Sequence, residues 1–478
     1  MNRKIIDATE WQALGGELAS GNLTLSGLWG DAGAIHMALL DETARTLRVV
    51  TLPCPDGTYP SIGAVHPPAL RLERAARDLF GLKAEGSPDG RPWLDHGKWE
   101  TSAAEARAPY PFLPGEGEAL HQIAVGPVHA GIIEPGHFRF TVNGETVVRL
   151  EERLGYVHKG IEGLMSGADL DRAASLAARV SGDSTVAYAL AFAQAAEAAL
   201  GIEPPARARW LRALMAELER LANHFGDIGA ICNDAAFALM LAQCGILRER
   251  VLRAAKIAFG HRMMKDCIRP GGVACDLTEE GARALHALIA DANAQFPKLV
   301  ELYDNTASLQ DRTVGTGSLA PALARQYGCG GVIGRASGRD FDARRDFAST
   351  PYDELDFTVP VLPDGDVDAR IWIRIREVEQ SLSLIRQLLD RMPTGPLSLS
   401  PAKAAGAPGE GIALVEGFRG DILVWLKLTD DLRVERCHLR DPSWFQWPLL
   451  EAVIEGNIVA DFPLCNKSFN CSYSGHDL

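Results

Sequence analysis

The sequence has 478 residues, of which 47% are apolar, and a formal net charge of −14 at neutral pH. This length predicts two or three domains, and the apolar content is enough for a proper core. The acidic balance, with no basic tract, argues against nucleic acid or anionic lipid as a direct partner.

No apolar run approaches the roughly eighteen residues of a membrane-spanning helix, and the N-terminus lacks the uninterrupted apolar centre of a signal peptide. We therefore expect a soluble globular chain that reaches a membrane only through partners. The nine cysteines are scattered, and only Cys267 with Cys275 and Cys465 with Cys471 are near each other. Neither pair has CxxC spacing, which favours a reducing compartment with mostly buried free thiols over a disulfide framework.

The first 82 residues are predicted to form a small α/β domain. The predicted elements are a helix over residues 8–18, strands over 34–40 and 46–52, and a helix over 70–80 whose apolar residues recur at helical spacing. Residues 83–118 are rich in Gly, Pro, Ala and Glu. They predict an extended connector that lies on a partner surface and marks a domain boundary.

Residues 119–478 are predicted to form a larger, mainly helical domain. It opens with a hairpin of strands 138–142 and 146–150 turned at Asn143-Gly144. An Ala-rich helical run follows over 173–199 and stops at Gly201, and the next helix starts after Pro204-Pro205. Residues 371–389 shift from alternating to helical spacing, and 412–428 predict two strands around a turn at 417–420. The fold class is therefore α+β, a small α/β domain fused to a helical domain with small β hairpins.

Short motifs in a fixed order carry a family resemblance. They are LERAARDLFGL at residues 72–82, HKGIE at 158–162, ELERLANH at 217–224, DRTVGTG at 311–317, GRASGRDFDARR at 334–345, VEGFRGD at 415–421 and DFPLCNKSFNCSYSGHDL at 461–478. The first resembles the 30 kDa peripheral-arm subunit of respiratory complex I. The others resemble the large subunit of nickel-iron hydrogenases and the 49 kDa quinone-site subunit of complex I. This order in one chain resembles the large subunits of formate hydrogenlyase and hydrogenase-4 complexes.

The resemblance also predicts that the nickel-iron centre is absent. Hydrogenases carry metal-binding cysteines at the positions of Ser181 and Ser184, and again at the positions of Ser468 and Cys471 near the end. Nickel and low-spin iron need soft thiolates, and a serine hydroxyl is a poor substitute. We therefore expect no cofactor bound directly, with an iron-sulfur cluster in a small partner subunit. Cys471 is then expected to be a buried, small apolar residue.

In complex I the same cavity binds the quinone headgroup through a histidine and a tyrosine. The GPVHA loop supplies His129 here, whereas Gly182 stands at the tyrosine position. Asp183, Ser184 and Tyr188 are near in sequence and are candidate proton donors. The alternatives are that His129 is a turn residue satisfied by backbone and that Tyr188 is a packed helix residue. Ser181, Gly182, Ser184, Ser468 and Cys471 are the predicted lining of the acceptor site.

Glu162 matches a glutamate that passes protons in hydrogenases, and a raised pKa would suit that role. The alternative is an exposed, salt-bridged helix residue. For Arg179, Arg335, Arg345 and Asp311 we expect structural ion pairs that hold the helices and the iron-sulfur partner. The glycine-rich segments at 315–317 and 328–334 match neither the GxGxxG spacing of dinucleotide-binding loops nor the Walker spacing with its lysine. Any NAD chemistry would therefore belong to another subunit.

The resemblance implies a subunit of a membrane-associated oxidoreductase at the cytoplasmic face of the inner membrane, attached through partner subunits. It would pass electrons from the iron-sulfur subunit to a quinone or similar small acceptor, coupled to ion translocation by antiporter-like membrane subunits. Two alternatives stay open. One is a non-catalytic structural transducer between the iron-sulfur partner and the membrane arm, and the other is a hydrogenase with an unusual ligand set.

Overall fold

The computed structural model describes residues 3–100, 102–129, 133–400 and 409–478. The N-terminal part holds a four-stranded sheet in the order β1-β4-β3-β2, with β1 parallel to β4 and the other pairs antiparallel. Its elements are β1 (Arg3–Ile5), α1 (Ala8–Ala19), β2 (Thr24–Asp31), β3 (Ala34–Asp41), β4 (Thr46–Pro53), β5 (Thr58–Pro60), α2 (Leu70–Phe80) and β6 (Lys83–Glu85).

Local chemistry fixes the ends of the two helices in this part. The Asp7 carboxylate accepts a hydrogen bond from the Glu10 backbone N–H at 2.8 Å and caps α1. Gly81 ends α2 in the left-handed conformation at φ 70°. The two predicted helices and the strands β3 and β4 are confirmed. Strand β2 was not predicted, because two glycines weaken its strand pattern.

The first part of the predicted connector packs on this chain itself. Its strand β6 pairs with β5, and the Asp78 carboxylate accepts hydrogen bonds from three successive backbone N–H groups, those of residues 93–95, at 2.6–3.1 Å. Trp93 is fully buried. Asp78 therefore fastens the connector to the end of α2, and a short helix, α3 (Ala104–Arg107), follows.

The larger part begins with a three-stranded antiparallel sheet of β7 (Leu120–Val125), β8 (His137–Asn143) and β9 (Thr146–Arg153). The predicted hairpin is confirmed, with Gly144 at φ 60° in its turn. A second three-stranded sheet contains β12 (Glu410–Glu416), β13 (Asp421–Leu428) and β14 (Val434–Arg440). Between these two sheets in the sequence, a small hairpin is formed by β10 (Ile268–Arg269) and β11 (Gly272–Val273).

The helices of this part form its core. They are α4 (Ile161–Met165), α5 (Leu170–Ala177), α6 (Thr185–Leu200), α7 (Ala206–Asp234), α8 (Ala238–Phe259), α9 (Glu279–Asp304), α10 (Ala307–Thr313), α11 (Pro321–Gln326), α12 (Gly331–Ala336), α13 (Ala343–Asp346), α14 (Val367–Asp390), α15 (Ser443–Val453), α16 (Phe462–Phe469) and α17 (Tyr473–Asp477). Helix α7 packs between α8 and α14, and α9 packs on α8. Helix α6 lies against β12 and β13.

Two predicted elements differ from the structure. The Ala-rich run at 173–199 is two helices, α5 and α6, separated by the loop of residues 178–184. The alternating start predicted at Ile371 lies inside α14, which is helical from Val367. In both places tertiary contacts determine the backbone conformation, because α6 and α14 are buried on several sides.

Three further predictions for the larger part agree with the structure. The stop at Gly201, the strands around the turn at residues 417–420 and the buried free cysteines are confirmed. Gly331, at φ 67°, has a packing role, because a Cβ there would lie 2.0 Å from the Arg419 carbonyl oxygen. Among the described residues, no helix is both long and apolar enough to cross a membrane.

Candidate functional site

The loop of residues 178–184 is held by its neighbours at both ends. The Thr185 hydroxyl donates to the Ala178 carbonyl oxygen at 3.0 Å. The Glu219 carboxyl group of α7 accepts hydrogen bonds from the backbone N–H groups of Val186 and Ala187, at 2.6 and 3.0 Å. It therefore takes the place of an N-cap for α6. These hydrogen bonds therefore fix the start of α6 and the end of the loop that precedes it.

Ser181 joins this loop to the C-terminal segment. Its hydroxyl donates to the Asp183 carboxylate at 2.8 Å and lies 3.0 Å from the Ser472 hydroxyl. The Ser472 backbone N–H donates to the Ser443 hydroxyl at 2.8 Å, which ties the same point to α15. Ser181 and Ser472 are both buried. The predicted meeting of the 181–184 block with the chain's last residues therefore occurs, but through Ser472.

Arg419 completes what we call the polar cluster, made of Ser181, Asp183, Ser184, Arg419 and Ser472. The Arg419 guanidinium donates to both Asp183 carboxylate oxygens, at 2.7 and 2.5 Å, and to the Ser184 hydroxyl at 3.1 Å. Burial raises the pKa of Asp183, but the Arg419 charge outweighs it and brings the pKa to about 2. Asp183 is therefore an ionised acceptor at neutral pH and not a proton donor.

One edge of the polar cluster is open. Gly182 is exposed, and a Cβ built on it meets no atom within 4 Å. The glycine that stands at the tyrosine position of the complex I pattern thus faces open space. The neighbouring Asp183 side chain is one-third exposed, so the Asp183–Arg419 pair is the part of the cluster that lies next to this edge.

Tyr188 is packed beneath the loop. It is fully buried, and its hydroxyl donates to the Asp441 carboxylate at 2.6 Å. Burial first, and then the Asp441 charge, raise the pKa of Tyr188 well above its usual value. The structure therefore favours the alternative of a packed helix residue, whose proton is already held by Asp441.

Ser468 and Cys471 have different surroundings. The Ser468 hydroxyl accepts from the Arg370 guanidinium at 2.9 Å and donates to the Cys465 carbonyl oxygen at 2.7 Å. Cys471 is buried next to the α15 residue Gln446, and burial raises the pKa of its thiol well above the usual value. Ser472, which the sequence analysis did not select, is the residue of this segment that contacts Ser181.

His129 lies in the segment after β7, half-buried and next to residues 130–132, which are outside the described residues. Its place beside the polar cluster stays a prediction. Arg419 and Asp441 were missed as site residues. Arg419 had a sequence signal, since it belongs to the VEGFRGD motif, whereas Asp441 had none.

Glu162 does not have the raised pKa that a proton relay was predicted to need. Its carboxylate pairs with Arg436 at 2.7 Å and with His438 at 2.9 Å, and it accepts the Leu439 backbone N–H at 2.9 Å. Burial raises the pKa of Glu162, but the Arg436 charge and the hydrogen bonds from β14 outweigh burial and bring the pKa down to about 2. Glu162 lines a cavity of about 420 Å³ between the N-terminal part and the larger part.

Three of the four residues expected in structural ion pairs are found in them. Arg335 is fully buried and pairs with Glu377 at 2.6 Å and with Glu416 at 2.8 Å. Arg179 pairs with Asp266 at 2.7 Å, and Arg345 pairs with Asp340 and Asp346. Asp311 is exposed at the end of the short helix α10.

Comparisons with known proteins agree with this architecture. Residues 30–110 match the family model of the respiratory-chain NADH dehydrogenase 30 kDa subunit, and residues 234–407 match that of the 49 kDa subunit. Formate hydrogenlyase subunit 5 of Escherichia coli K12 is 31% identical over 88% of this chain and 77% of its own length. Hydrogenase-4 component G of the same organism is 30% identical over 93% and 80%. An NADH-quinone oxidoreductase subunit from Roseiflexus sp. RS-1 is 33% identical over 71% and 94%.

Proposed function

We infer the function from one premise, that this chain belongs to the family of formate hydrogenlyase and hydrogenase-4 large subunits, which joins regions like the 30 kDa and 49 kDa subunits of respiratory NADH dehydrogenase. It is a subunit of a membrane-associated oxidoreductase complex. We propose that it receives electrons from an iron-sulfur partner subunit and passes them to a quinone or similar small acceptor. The reaction is coupled to ion translocation by membrane subunits at the cytoplasmic face.

The residues of the polar cluster do not fit a nickel-iron centre. They offer hydroxyl groups where soft thiolates are needed, and the Arg419 guanidinium lies 3.1 Å from the Ser184 hydroxyl oxygen. A positive charge at that distance opposes a metal cation. The Cys471 thiol is buried with a raised pKa, which disfavours the thiolate that a metal would bind. We therefore propose that no metal takes part on this chain.

The observation that supports the proposal is the Asp183–Arg419 pair beside the exposed Gly182, with the buried hydroxyls of Ser181 and Ser184 in contact with it. An acceptor such as a quinone gains negative charge on its oxygens as it is reduced. Arg419 and the hydroxyls of Ser181 and Ser184 would donate hydrogen bonds to those oxygens. Asp183 holds the guanidinium in place, because its carboxylate stays ionised at neutral pH.

Reduction of a quinone to the hydroquinone consumes two electrons and two protons. The electrons would come from the iron-sulfur partner. Asp183 carries no proton to give, and the Tyr188 proton is held by Asp441. We therefore propose that both protons come from water at the exposed Gly182 edge and reach the acceptor through the rotating serine hydroxyls.

A second candidate is the structural transducer, and the hydrogen bonds of the polar cluster favour it. Ser181 already has Asp183 and Ser472 as partners, and Asp183 already has Arg419. These mutual hydrogen bonds would hold the loop, the C-terminal segment and the turn between β12 and β13 in one rigid arrangement without a substrate. The two candidates differ in whether a molecule occupies the open edge.

Photo-crosslinking with an azido-quinone on the purified complex tests the proposal. We expect labelling of the peptide that contains Ser181 to Tyr188, and loss of the label when an excess of non-photoactive quinone is added. Clean absence of label from this chain, in a complex that retains its iron-sulfur partner, would move the assignment to the transducer.

A matched pair of glycine variants gives an independent measurement. Gly182→Trp should cover the open edge, because a Cβ there meets no atom within 4 Å, and acceptor-dependent turnover should fall by on the order of tenfold or more. Gly16→Trp is the control, because Gly16 is also exposed with no atom within 4 Å of its Cβ but lies in α1. Unchanged turnover in assembled Gly182→Trp complex argues against a substrate at this edge.

A further inference from the structure

Two cysteines flank the small hairpin of β10 and β11. Cys267 directly precedes β10, and the Ala274 backbone N–H donates to the Cys267 carbonyl oxygen at 2.8 Å, which extends the pairing by one residue. Cys275 follows Ala274 directly, so the backbone pairing places it beside Cys267. The hairpin thus brings together two thiols that are eight positions apart in sequence.

The two thiols have unequal environments. Cys267 is 5% exposed, whereas Cys275 is half-buried and reachable from solvent. The neighbouring Cys267 thiol lowers the pKa of Cys275, while the neighbouring Cys275 thiol and burial raise the pKa of Cys267. The other seven cysteines are buried and have raised pKa values. An accessible, thiolate-prone sulfur beside a buried thiol is the arrangement of an attacking and a resolving cysteine.

We propose that Cys267 and Cys275 form a redox-active dithiol that exchanges reversibly with small disulfides. The Cys275 thiolate attacks one sulfur of a disulfide RSSR, whose S–S bond breaks and releases RS⁻. Cys267 loses its proton to solvent and attacks the Cys275 sulfur of the mixed disulfide, which releases a second RS⁻. Two protein thiols are oxidised by two electrons, and RSSR is reduced to two RSH.

The hairpin is connected to the polar cluster by short contacts. Asp266, next to Cys267, accepts two hydrogen bonds from Arg179 at 2.8 and 2.7 Å, and Arg179 lies two residues before Ser181. On the other side, the Gly271 backbone N–H donates to the Glu197 carboxylate of α6 at 2.7 Å. A disulfide across the hairpin would therefore restrict the segment that braces both the loop and α6.

Mass spectrometry of the purified complex tests this proposal without any variant. Trypsin does not cut before proline, so both cysteines lie on one peptide, residues 266–283. After incubation with oxidised glutathione, acid quenching and alkylation under denaturing conditions, we expect this peptide without alkyl groups and two hydrogens lighter than the dithiol. Reduction should restore two alkylation sites. A peptide that stays doubly alkylated after oxidation overturns the proposal.

Two variants assign the roles of the cysteines. In Cys267→Ala the resolving thiol is missing, so Cys275 should accumulate as a glutathione mixed disulfide. In Cys275→Ala the buried Cys267 should react on the order of tenfold more slowly with an alkylating agent than Cys275 does in the unaltered chain. Cys232 and Cys244, neighbouring buried thiols with raised pKa values, are the internal control and should stay reduced. Equal reactivity of Cys267 and Cys275 would contradict the assignment.

Discussion

Glu162 and Asp183 are ionised at neutral pH because each carboxylate faces a guanidinium at hydrogen-bond distance. Both pKa values lie near 2, below the ordinary range of carboxyl groups. Such groups fix charge and geometry and do not move protons between pH 6 and 8. Proton supply to the open edge is therefore assigned to water and not to the side chains that resemblance suggested.

Glu162→Gln is expected to lower stability while leaving the neutral pH-rate profile of the complex unchanged in shape. The loss at pH 7 should be about 1–3 kcal/mol, since Arg436 is left without its charged partner. Because the pKa is depressed in the folded state, this stabilisation is present above pH about 4.5 and is lost as the pH falls towards 2. Denaturant unfolding at several pH values measures it.

Glu435→Gln is the matched control, because Glu435 lies on β14, the strand that carries the Glu162 partners Arg436 and His438. Glu435 pairs with Lys427 at 2.5 Å, but both side chains are more than one-third exposed, so the change should be small. A shift of the pH-rate profile between pH 6 and 8 in Glu162→Gln, but not in Glu435→Gln, would show that Glu162 titrates during turnover and would restore the relay.

At the scale of elements, the sequence predicted those that depend on near neighbours. The helix at Leu70–Phe80 and the hairpin at Asn143-Gly144 are set by local periodicity and turn chemistry. The break between α5 and α6 is set by distant residues, since Glu219 caps α6 and Arg419 holds Asp183 from 236 positions away. An Ala-rich run carries no local signal for these contacts.

The same limit applies to the site. The predicted site residues Ser181, Asp183 and Ser184 contact one another because they adjoin in the chain. Ser472 was missed in favour of Ser468, because a spacing carried over from metal-binding relatives does not determine which hydroxyl faces Ser181. Pairing across the fold had to be seen in the structure.

Glu219→Gln tests the unusual start of α6. Burial raises the pKa of Glu219 to about 8, so the folded chain holds a proton there that the unfolded chain releases above pH about 4.5. Stability should therefore fall as the pH rises from about 4.5 to 8, by up to about 1.4 kcal/mol per unit from this group. In Glu219→Gln, this decrease of the free energy of unfolding with rising pH should be absent.

Unfolding of both Gln variants between about pH 2 and 8.5 separates the two carboxyl groups. Glu162→Gln should alter only the acid limb, because its pKa is depressed, and Glu219→Gln should alter only the limb from about 4.5 to 8. An unchanged slope in Glu219→Gln would mean that the carboxyl group is ionised in the folded protein and that α6 is capped by a charge.

At the scale of the whole molecule, Arg71 connects the N-terminal part to the larger one. Its guanidinium pairs with Glu152 of β9 at 3.1 Å and with Glu451 of α15 at 2.7 Å, and it lies 4.6 Å from the centre of the Trp93 ring. Trp93 itself donates to His476 at 3.2 Å. One cation thus joins α2, the connector and two elements of the larger part.

Arg71→Met should destabilise the chain by about 3–5 kcal/mol, because the buried Glu152 carboxyl group and the half-buried Glu451 carboxyl group lose their shared cation. The double variant Arg71→Met with Glu152→Gln should recover part of this loss, since the buried carboxyl group left without its partner is removed. Denaturant unfolding gives the free energies, and Arg376→Met, an exposed pair on α14, should change them by about 0.5 kcal/mol or less. If the double variant is as unstable as the single one, contacts of Arg71 with Trp93 and not its charge hold the two parts together.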